Sequence, residues 1–261
     1  MERTVTLLYF SSTKTTQRSL RAIARGMGWQ VQEVDFTLPQ NRSRDYHFGP
    51  PDFVLVGSPV YGGVMPLLVR EYLEQHITGD RTGCAVVAVY GNRHYDDCLA
   101  EMEDLMTAKG FVVTAAAACI GEHSFTTQIA TGRPDEEDLA KAEVFGRQLA
   151  EKLQNAPLTA LEQGVIPGNR PYRERKPSMP MAPETTNGCI RCGNCVLNCP
   201  VGAIDPADPT RVDESKCLRC LSCVRLCPLG SKAFPQEGFQ KTVEWCLANF
   251  REPRREMESY L

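Results

Sequence analysis

The sequence has no long apolar run and no strong excess of one charge. None of its hydrophobic stretches approaches the roughly 20 residues that a membrane-spanning helix needs. A formal net charge of −3 over 261 residues argues against a nucleic-acid binder and against a protein of the membrane surface. The first residues, MERTVTLLYFSST, lack the small-residue cleavage site of a signal peptide, so we expect a cytoplasmic protein.

Two nucleotide-binding patterns are also missing. The sequence contains no Gly-x-Gly-x-x-Gly and no Gly-x4-Gly-Lys-Ser/Thr. The first absence argues against direct binding of NAD(P)H, and the second against a P-loop. With 42% hydrophobic and 23% charged residues, the composition suits one large or two medium-sized globular domains.

Strand-like runs alternate with helix-like segments over residues 1–155. The five β-rich runs are TVTLLYF, WQVQEVDF, DFVLVGSP, GCAVVAVYG and FVVTAAAACIG. A last helix is expected at RPDEEDLAKAEVFGRQLAEKL, with acidic residues in its first turn. This alternation predicts an α/β domain with a parallel five-stranded sheet covered on both faces, in the doubly wound order 2-1-3-4-5.

The rest of the chain divides into three parts. Residues 156–186 are rich in proline and are expected to form an extended linker. Residues 187–236 carry most of the cysteines, and residues 237–261 contain an expected helix near FQKTVEWCLANF.

Cysteine is abundant and unevenly placed, with eight of the 12 residues between Cys189 and Cys227. In a cytoplasmic chain such clustered thiols indicate metal ligands rather than disulfides. The other cysteines lack ligand spacing and are expected to be buried thiols that pack like apolar side chains. They are Cys84, Cys98, Cys119 and Cys246.

The clustered cysteines form two copies of one motif, CIRCGNCVLNCP and CLRCLSCVRLCP. Both follow the C-x2-C-x2-C-x3-C-P pattern of bacterial ferredoxins, in which three thiolates on a tight turn reach different irons of a [4Fe–4S] cubane. Structural zinc is the alternative, but zinc usually takes paired C-x2-C units. The motif predicts two [4Fe–4S] clusters in a small α+β domain that resembles bacterial ferredoxins.

In two-cluster ferredoxins the fourth cysteine of each motif binds the other cluster. The resemblance implies one cluster on Cys189, Cys192, Cys195 and Cys227, and a second on Cys199, Cys217, Cys220 and Cys223.

Exposed cubanes are often sensitive to oxygen, so an anaerobic or microaerobic host is expected.

Hydroxyl side chains follow the first strand, at five of the six positions from Ser11 to Thr16. In a doubly wound sheet, ligands bind at the carboxyl ends of the strands where the strand order reverses. Hydroxyls and the free N–H groups of a helix start can together bind a phosphate. A helix cap needs only one hydroxyl, and this segment alone is compatible with both roles.

Glycine and aromatic residues follow the third and fourth strands, in GSPVYGGVMP and VYGNRHYDD. Gly62 and Gly63 permit positive φ and close approach to a flat ligand, and Tyr61 offers a stacking face. Either loop could be only a turn. Beside a phosphate site, the two loops together predict a planar heterocycle joined to a phosphate.

The pattern S-x-T-x-x-T at Ser11, Thr13 and Thr16, with GSPVYGG and VYGNRHYDD, resembles the FMN site of flavodoxins. With the cysteine motifs, the chain resembles the bacterial flavodoxin–ferredoxin fusion proteins. The resemblance implies a flavodoxin-like fold, FMN as a cofactor and a loop peptide near Gly62–Gly63 that bonds flavin N5. It implies that the phosphate is held by Ser11, Ser12, Thr13, Lys14, Thr15 and Thr16, and the isoalloxazine by Pro59, Val60, Tyr61, Gly62, Gly63, Tyr90, Gly91, Asn92 and Tyr95.

Three features leave alternatives open. Flavodoxins usually have glycine where this chain has Lys14, and a lysine there could pair with the phosphate. His123, after the fifth strand, could exchange protons with a substrate or flavin or lie at the domain interface, but an ordinary loop histidine is favoured. The linker's basic residues could contact a partner or the flavin, but a solvated linker is favoured. They are Arg170, Arg173, Arg175 and Lys176.

These parts predict an electron-transfer flavoprotein that passes single electrons between two [4Fe–4S] clusters and FMN. A redox protein or a small electron donor or acceptor is the expected partner. The alternative is an FMN-dependent reductase that feeds a small acceptor, with His123 as a proton donor. A third interpretation is a non-redox scaffold whose flavodoxin-like half is empty.

Overall fold

A computed structural model describes residues 3–155, 165–175 and 180–261. Its strands are β1 Thr4–Tyr9, β2 Gln30–Asp35, β3 Tyr46–Phe48, β4 Phe53–Pro59, β5 Ile77–Gly79, β6 Thr82–Tyr90, β7 Phe111–Ile120, β8 Glu184–Thr185, β9 Lys232–Ala233 and β10 Glu258–Tyr260. The helices are α1 Thr15–Met27, α2 Leu67–His76, α3 Cys98–Ala108, α4 Glu136–Asn155, α5 Asn194–Leu197, α6 Ser222–Arg225 and α7 Glu237–Phe250.

The main sheet has six strands in the order β10-β7-β6-β4-β1-β2. All its pairings are parallel except that of β10 with β7. Read from β2 to β7, the five parallel strands follow the order 2-1-3-4-5, so the predicted doubly wound, flavodoxin-like fold is confirmed. The antiparallel edge strand β10 was not predicted.

Two helix layers cover the sheet because β1 and β4 are apolar on both faces. Leu7 and Leu8 point to opposite sides, and both are fully buried. On one side Leu7 belongs to the cluster that contains α1 and α4, and on the other Leu8 belongs to the cluster of α2 and α3. Helices α1 and α4 pack closely, since a Cβ on Gly26 would lie 2.0 Å from the Glu143 carbonyl oxygen.

The cysteine-rich segment forms a smaller unit around Leu221, Phe234 and Phe239. Its short strands β8 and β9 pair antiparallel, and α5 and α6 each follow the start of one cysteine motif. Phe125, from the loop after β7, packs against this small core with its ring 5.0 Å from that of Phe239. The unit is therefore packed on the loops at the carboxyl edge of the main sheet.

The segment 165–175 lies along α3, and most of its residues remain exposed. Arg170 pairs with Glu103 and Asp104, Arg173 with Asp96, and Arg175 with Glu101. These basic residues keep 28–51% of their side chains exposed, and the acidic residues of α3 and of the turn before it attract them. Lys176 lies outside the described residues.

One smaller prediction is also confirmed. Cys84, Cys98, Cys119 and Cys246 are all buried free thiols, as expected. Among the helices of the described ranges, none combines the length and the apolarity that crossing a membrane requires.

Candidate functional site

A cavity of about 390 Å³ opens at the carboxyl edge of the sheet. Its walls come from the loops that follow β1, β4, β6 and β7, which the parallel order brings to one edge. The lining residues are Ser12, Thr13, Thr15, Thr16, Pro59, Val60, Tyr61, Val89, Tyr90, Gly91, Gly121, Glu122 and Ser124. Ser11, Lys14, Gly62 and Gly63 belong to the same loops but do not line the cavity.

The hydroxyl groups of the loop after β1 differ in their hydrogen bonding. Ser11 acts as a cap, because its Oγ accepts a hydrogen bond from the Gln17 N–H at 3.1 Å. Thr16 belongs to the cavity wall, and its buried Oγ1 has no hydrogen-bond partner in the described part of the chain. A buried hydroxyl without a partner is costly, so this atom marks a place for a polar ligand atom. The cavity therefore fits the phosphate site that the sequence predicts.

Lys14 precedes α1 with φ 65°, in the left-handed region. Glycine is the usual residue in this conformation because it has no Cβ to clash with the backbone. The tight turn is thus kept without glycine, and the Lys14 Nζ lies 4.0 Å from Asp35 at the surface.

The loop after β4 supplies an aromatic wall. The Tyr61 hydroxyl lies 3.2 Å from Ser12 Oγ, and burial raises the pKa of this phenol. Gly62 and Gly63 have φ of 66° and 96°, as the Gly-Gly pair predicts.

The loop after β6 contributes fewer residues to the cavity than the resemblance implies. Gly91 lines the cavity, but Asn92 bonds the Phe250 and Pro253 carbonyl oxygens at 2.7 and 3.1 Å. The Tyr95 hydroxyl bonds Glu258 and Tyr260. The structure therefore brings Asn92 and Tyr95 to the segment 250–260 and not to the cavity, because that segment returns to the sheet as β10.

The loop after β7 contributes residues that the sequence analysis did not select. Glu122 and Ser124 line the cavity, and Gly121 packs so closely that a Cβ would lie 2.9 Å from the Thr15 Cβ. Their position directly after the fifth predicted strand could have identified them as cavity residues, because that strand ends at the same edge of the sheet.

His123 lies between these two cavity residues but packs away from them, against Gly91. Burial, together with the charges of Arg225 and Arg93, lowers the pKa of His123 to about 4. Its Nδ1 accepts a hydrogen bond from the Phe125 N–H at 3.2 Å, which requires the unprotonated atom. The imidazole is therefore neutral at pH 7.

The clustered cysteines surround two further cavities, of about 370 and 350 Å³. Each cavity takes three cysteines from one motif and the fourth from the other motif. The first is lined by Cys189, Cys192, Cys195 and Cys227, and the second by Cys199, Cys217, Cys220 and Cys223.

The donor chemistry of these cavities suits clusters better than single ions. No three His, Cys, Asp or Glu side chains in the described ranges lie close enough to hold one metal ion. A cubane needs wider spacing, since each thiolate binds a different iron. The Cys199 and Cys227 sulfurs accept backbone N–H bonds at 3.3 and 3.2 Å from Ala203 and Ser231.

The second cysteine cavity adjoins the cavity at the sheet edge. Ser12 and Tyr61, which line the sheet-edge cavity, lie close to Cys220, which lines the second cysteine cavity. Burial raises the pKa of the Cys220 thiol to about 11.

Arg225 of α6 anchors the cysteine-rich unit beside this contact. Its guanidinium donates to the Glu122 carboxylate and to the His123 and Ser124 carbonyl oxygens. On the other side, Arg42 Nη2 donates to the Pro200 carbonyl oxygen at 2.6 Å. Burial lowers the pKa of Arg42.

Residues 188–231 match the family model described as a 4Fe-4S dicluster domain. Curated protein sequences give no significant match.

Among solved structures, a flavodoxin from the domain Archaea is 17% identical, with a TM-score of 0.42 over 58% of this chain and 99% of its own. The flavodoxin of Streptococcus pneumoniae TIGR4 is 18% identical, with a TM-score of 0.40 over 57% of this chain and 99% of its own. The fold itself is assigned from the strand order, and the iron–sulfur segment from the family model. The chain therefore joins a domain of the flavodoxin-like fold to a segment that matches the 4Fe-4S dicluster family model.

Proposed function

We propose that this protein is an electron-transfer iron–sulfur flavoprotein that passes single electrons between two [4Fe–4S] clusters and FMN. The observation that supports this most directly is that Cys220, in the wall of the second cysteine cavity, lies close to Ser12 and Tyr61, in the wall of the sheet-edge cavity. Groups bound in adjoining cavities are held together without diffusion, so transfer between them is intramolecular.

FMN is assigned to the sheet-edge cavity. Ser12, Thr13, Thr15 and Thr16 would hold its phosphate with hydroxyls and the N–H groups at the start of α1. Tyr61 and the backbone at Gly91 would face the ring. When bound, FMN supplies a group that accepts one or two electrons.

Two [4Fe–4S] clusters are assigned to the cysteine cavities, with the eight lining cysteines as ligands. Only the cavity around Cys220 adjoins the flavin cavity through the described contacts. The other cavity has Ile190 and Leu229 in its wall, with side chains 67% and 55% exposed. The cluster in this other cavity would therefore be the one that exchanges electrons with an external redox partner, since it lies beside exposed apolar residues and away from the flavin cavity.

The reductase alternative is less well supported by the geometry. It needs a proton donor near the flavin, but the burial and neutral state of His123 leave this histidine no proton to release on Nδ1 at pH 7.

The clustered reduced thiols favour the cytoplasm as the compartment.

The test is to purify the full chain without oxygen and to measure its iron and flavin content. We expect about eight iron atoms and about one FMN per chain. A Cys220→Ser variant should keep FMN, lose cluster iron and show intramolecular reduction of the flavin at least roughly tenfold slower than the parent protein. Cys246→Ala, which removes a buried thiol of α7, is the matched control and should leave both contents unchanged.

A parent protein that lacks flavin or iron after reconstitution would contradict the proposal. So would a Cys220→Ser variant that loses iron but reduces its flavin at the parent rate, because electrons would then reach the flavin by another path.

A further inference from the structure

We propose that residues 165–175, called the strap, position the backbone of the loop Tyr61–Met65 through α3 and the turn before it, and that this adjusts the potentials of the flavin. The inference rests on the proposed function, because it needs FMN in the cavity that Tyr61 lines. The strap leads from the flavodoxin-like domain toward the cysteine-rich segment. It would therefore act on the flavin from outside the cavity.

Arg175 holds the end of the loop. Its Nη2 donates to the Glu101 carboxylate and, at 3.2 Å, to the Met65 carbonyl oxygen. Glu101 Oε2 accepts a hydrogen bond from the Met65 N–H at 2.9 Å. Glu101 is only 2% exposed, so its charge depends on these partners to offset desolvation. Partly exposed Arg175 and buried Glu101 thus bind both backbone polar groups of Met65, and Arg70 Nη1 is a second partner of the Glu101 carboxylate at 3.4 Å.

Arg173 and Asn169 hold the carboxylates that bracket Gly63. The Asp97 N–H donates to the Gly63 carbonyl oxygen at 2.9 Å, and the Asp97 carboxylate accepts the Arg173 N–H at 2.7 Å and the Asn169 N–H at 2.9 Å. Asp96 packs against Gly63, where a Cβ would lie 2.3 Å from its Oδ2. Arg173 Nη1 bonds that same oxygen at 2.9 Å.

Tyr61, the residue of this loop that lines the cavity, is tied to the anchored part of the loop. Its N–H donates to the Val64 carbonyl oxygen at 3.0 Å, and the Val64 N–H donates back to the Tyr61 carbonyl oxygen at 3.5 Å. Because Val64 lies between the anchored residues Gly63 and Met65, the anchors restrict the position of the Tyr61 backbone. Backbone dipoles beside a flavin ring adjust its electronics, so loosening the anchors changes the potentials without altering a cavity side chain.

Three variants of the full, cofactor-loaded chain separate positioning from simple charge. Arg175→Ala removes a positive charge, and Glu101→Gln removes a negative charge with almost no change in shape. Arg170→Ala is the matched control, because Arg170 lies on the same strap and pairs with Glu103 and Asp104. An anaerobic redox titration measures the two one-electron steps of the flavin, and thermal unfolding measures stability.

We expect Arg175→Ala and Glu101→Gln to change the ratio of the two one-electron equilibrium constants in the same direction, by about tenfold or about 59 mV. Arg170→Ala should lower the melting temperature but keep the ratio within about twofold of the parent value. Arg175→Lys should recover most of the parent ratio if it restores the contact with Glu101.

Shifts of opposite sign in Arg175→Ala and Glu101→Gln would overturn the inference, since they would report only the charge removed. Unchanged ratios in both variants, or an equal shift in Arg170→Ala, would also overturn it. Should Arg175→Ala not fold, Glu101→Gln alone carries the prediction. A parent protein without flavin would instead refute the proposed function, so the two failures are distinguishable.

Discussion

Arg225 of the cysteine-rich segment forms an ion pair with Glu122, a residue that lines the sheet-edge cavity. A carboxylate beside a phosphate site repels the ligand unless a cation offsets its charge. Arg225 therefore has two roles, since it docks the cysteine-rich unit and neutralises the Glu122 charge at the cavity.

Replacing Arg225 with alanine should weaken both functions. The side chains of the pair are 23% and 14% exposed, so we expect a loss of roughly 1–3 kcal/mol in stability and at least about tenfold weaker FMN binding. Urea unfolding and flavin fluorescence titration measure the two effects. The double variant Arg225→Ala/Glu122→Gln should regain FMN affinity but not stability. Unchanged affinity in the single variant would show that the Glu122 charge does not reach the phosphate.

Replacing Thr16 with valine removes the hydroxyl without a partner and keeps the side-chain shape. We expect the cofactor-free protein to be as stable as the parent or slightly more stable. FMN affinity should fall by roughly 10- to 100-fold, because a hydrogen bond to a charged group contributes about 1.5–3 kcal/mol.

Riboflavin, which has no phosphate, provides the discriminating ligand for Thr16→Val. Its affinity should be equal in the variant and in the parent protein. Thr114→Val is the control, because the Thr114 hydroxyl bonds the Cys84 carbonyl oxygen within the sheet. If Thr16→Val weakens riboflavin and FMN binding equally, Thr16 does not contact the phosphate.

Replacing Lys14 with glycine should relieve the backbone at its φ of 65°. A left-handed non-glycine residue costs about 1–2 kcal/mol, and the greater freedom of glycine in the unfolded chain cancels part of the gain. We expect a net rise of roughly 0.5–1 kcal/mol in the free energy of unfolding. FMN affinity should stay within about twofold, because the Lys14 ammonium lies at the surface beside Asp35. A larger loss that vanishes at high salt would assign Lys14 to the phosphate instead.

The stability of the protein should fall as the pH decreases from about 6.5 toward 4. The unfolded chain protonates His123 near pH 6.5, whereas the pKa of His123 in the folded protein is about 4. Between these values the unfolded state binds more protons, so stability decreases as the pH falls.

Unfolding in urea at pH 7 and pH 5 measures this loss, which we expect to reach roughly 1–2 kcal/mol for His123. A His123→Gln variant should have a smaller pH dependence by that amount. The exposed His47, changed to glutamine, is the control and should leave the dependence unchanged. An equal pH dependence in His123→Gln and the parent would contradict the burial of a neutral His123.

Local sequence patterns predicted the parallel strands and the cysteine-rich segment because both depend on short-range features. Runs such as TVTLLYF and GCAVVAVYG are apolar on both faces, and the burial of β1 and β6 follows from that. The spacing within the cysteine motifs defines a tight turn, and the positive φ of Arg191 and Arg219 recurs at the same place in both. The hydroxyl-rich loop and Tyr61 were placed correctly at one edge by the strand order.

Long-range packing accounts for what sequence patterns did not predict. Residues 258–260 are short and polar, and only their pairing with β7 makes them a strand. That pairing brings Glu258 and Tyr260 to Tyr95, while Asn92 holds the backbone just before the strand. The linker's basic residues carry no periodic pattern, so their binding to α3 depends on where the fold places acidic side chains.

Local patterns suffice to predict the α/β alternation, the two cysteine motifs and the hydroxyl-rich loop, because each depends on residues close together in the chain. Only the folded structure brings Cys220 close to Ser12, pairs Arg225 with Glu122 and places the strap on the loop beside Tyr61. The Arg225–Glu122 and Arg175–Met65 contacts each join residues more than a hundred positions apart in the chain. The contacts that link the strap to α3 join residues that are closer in sequence. Such contacts form only when the core brings the surfaces together, and no local pattern specifies them.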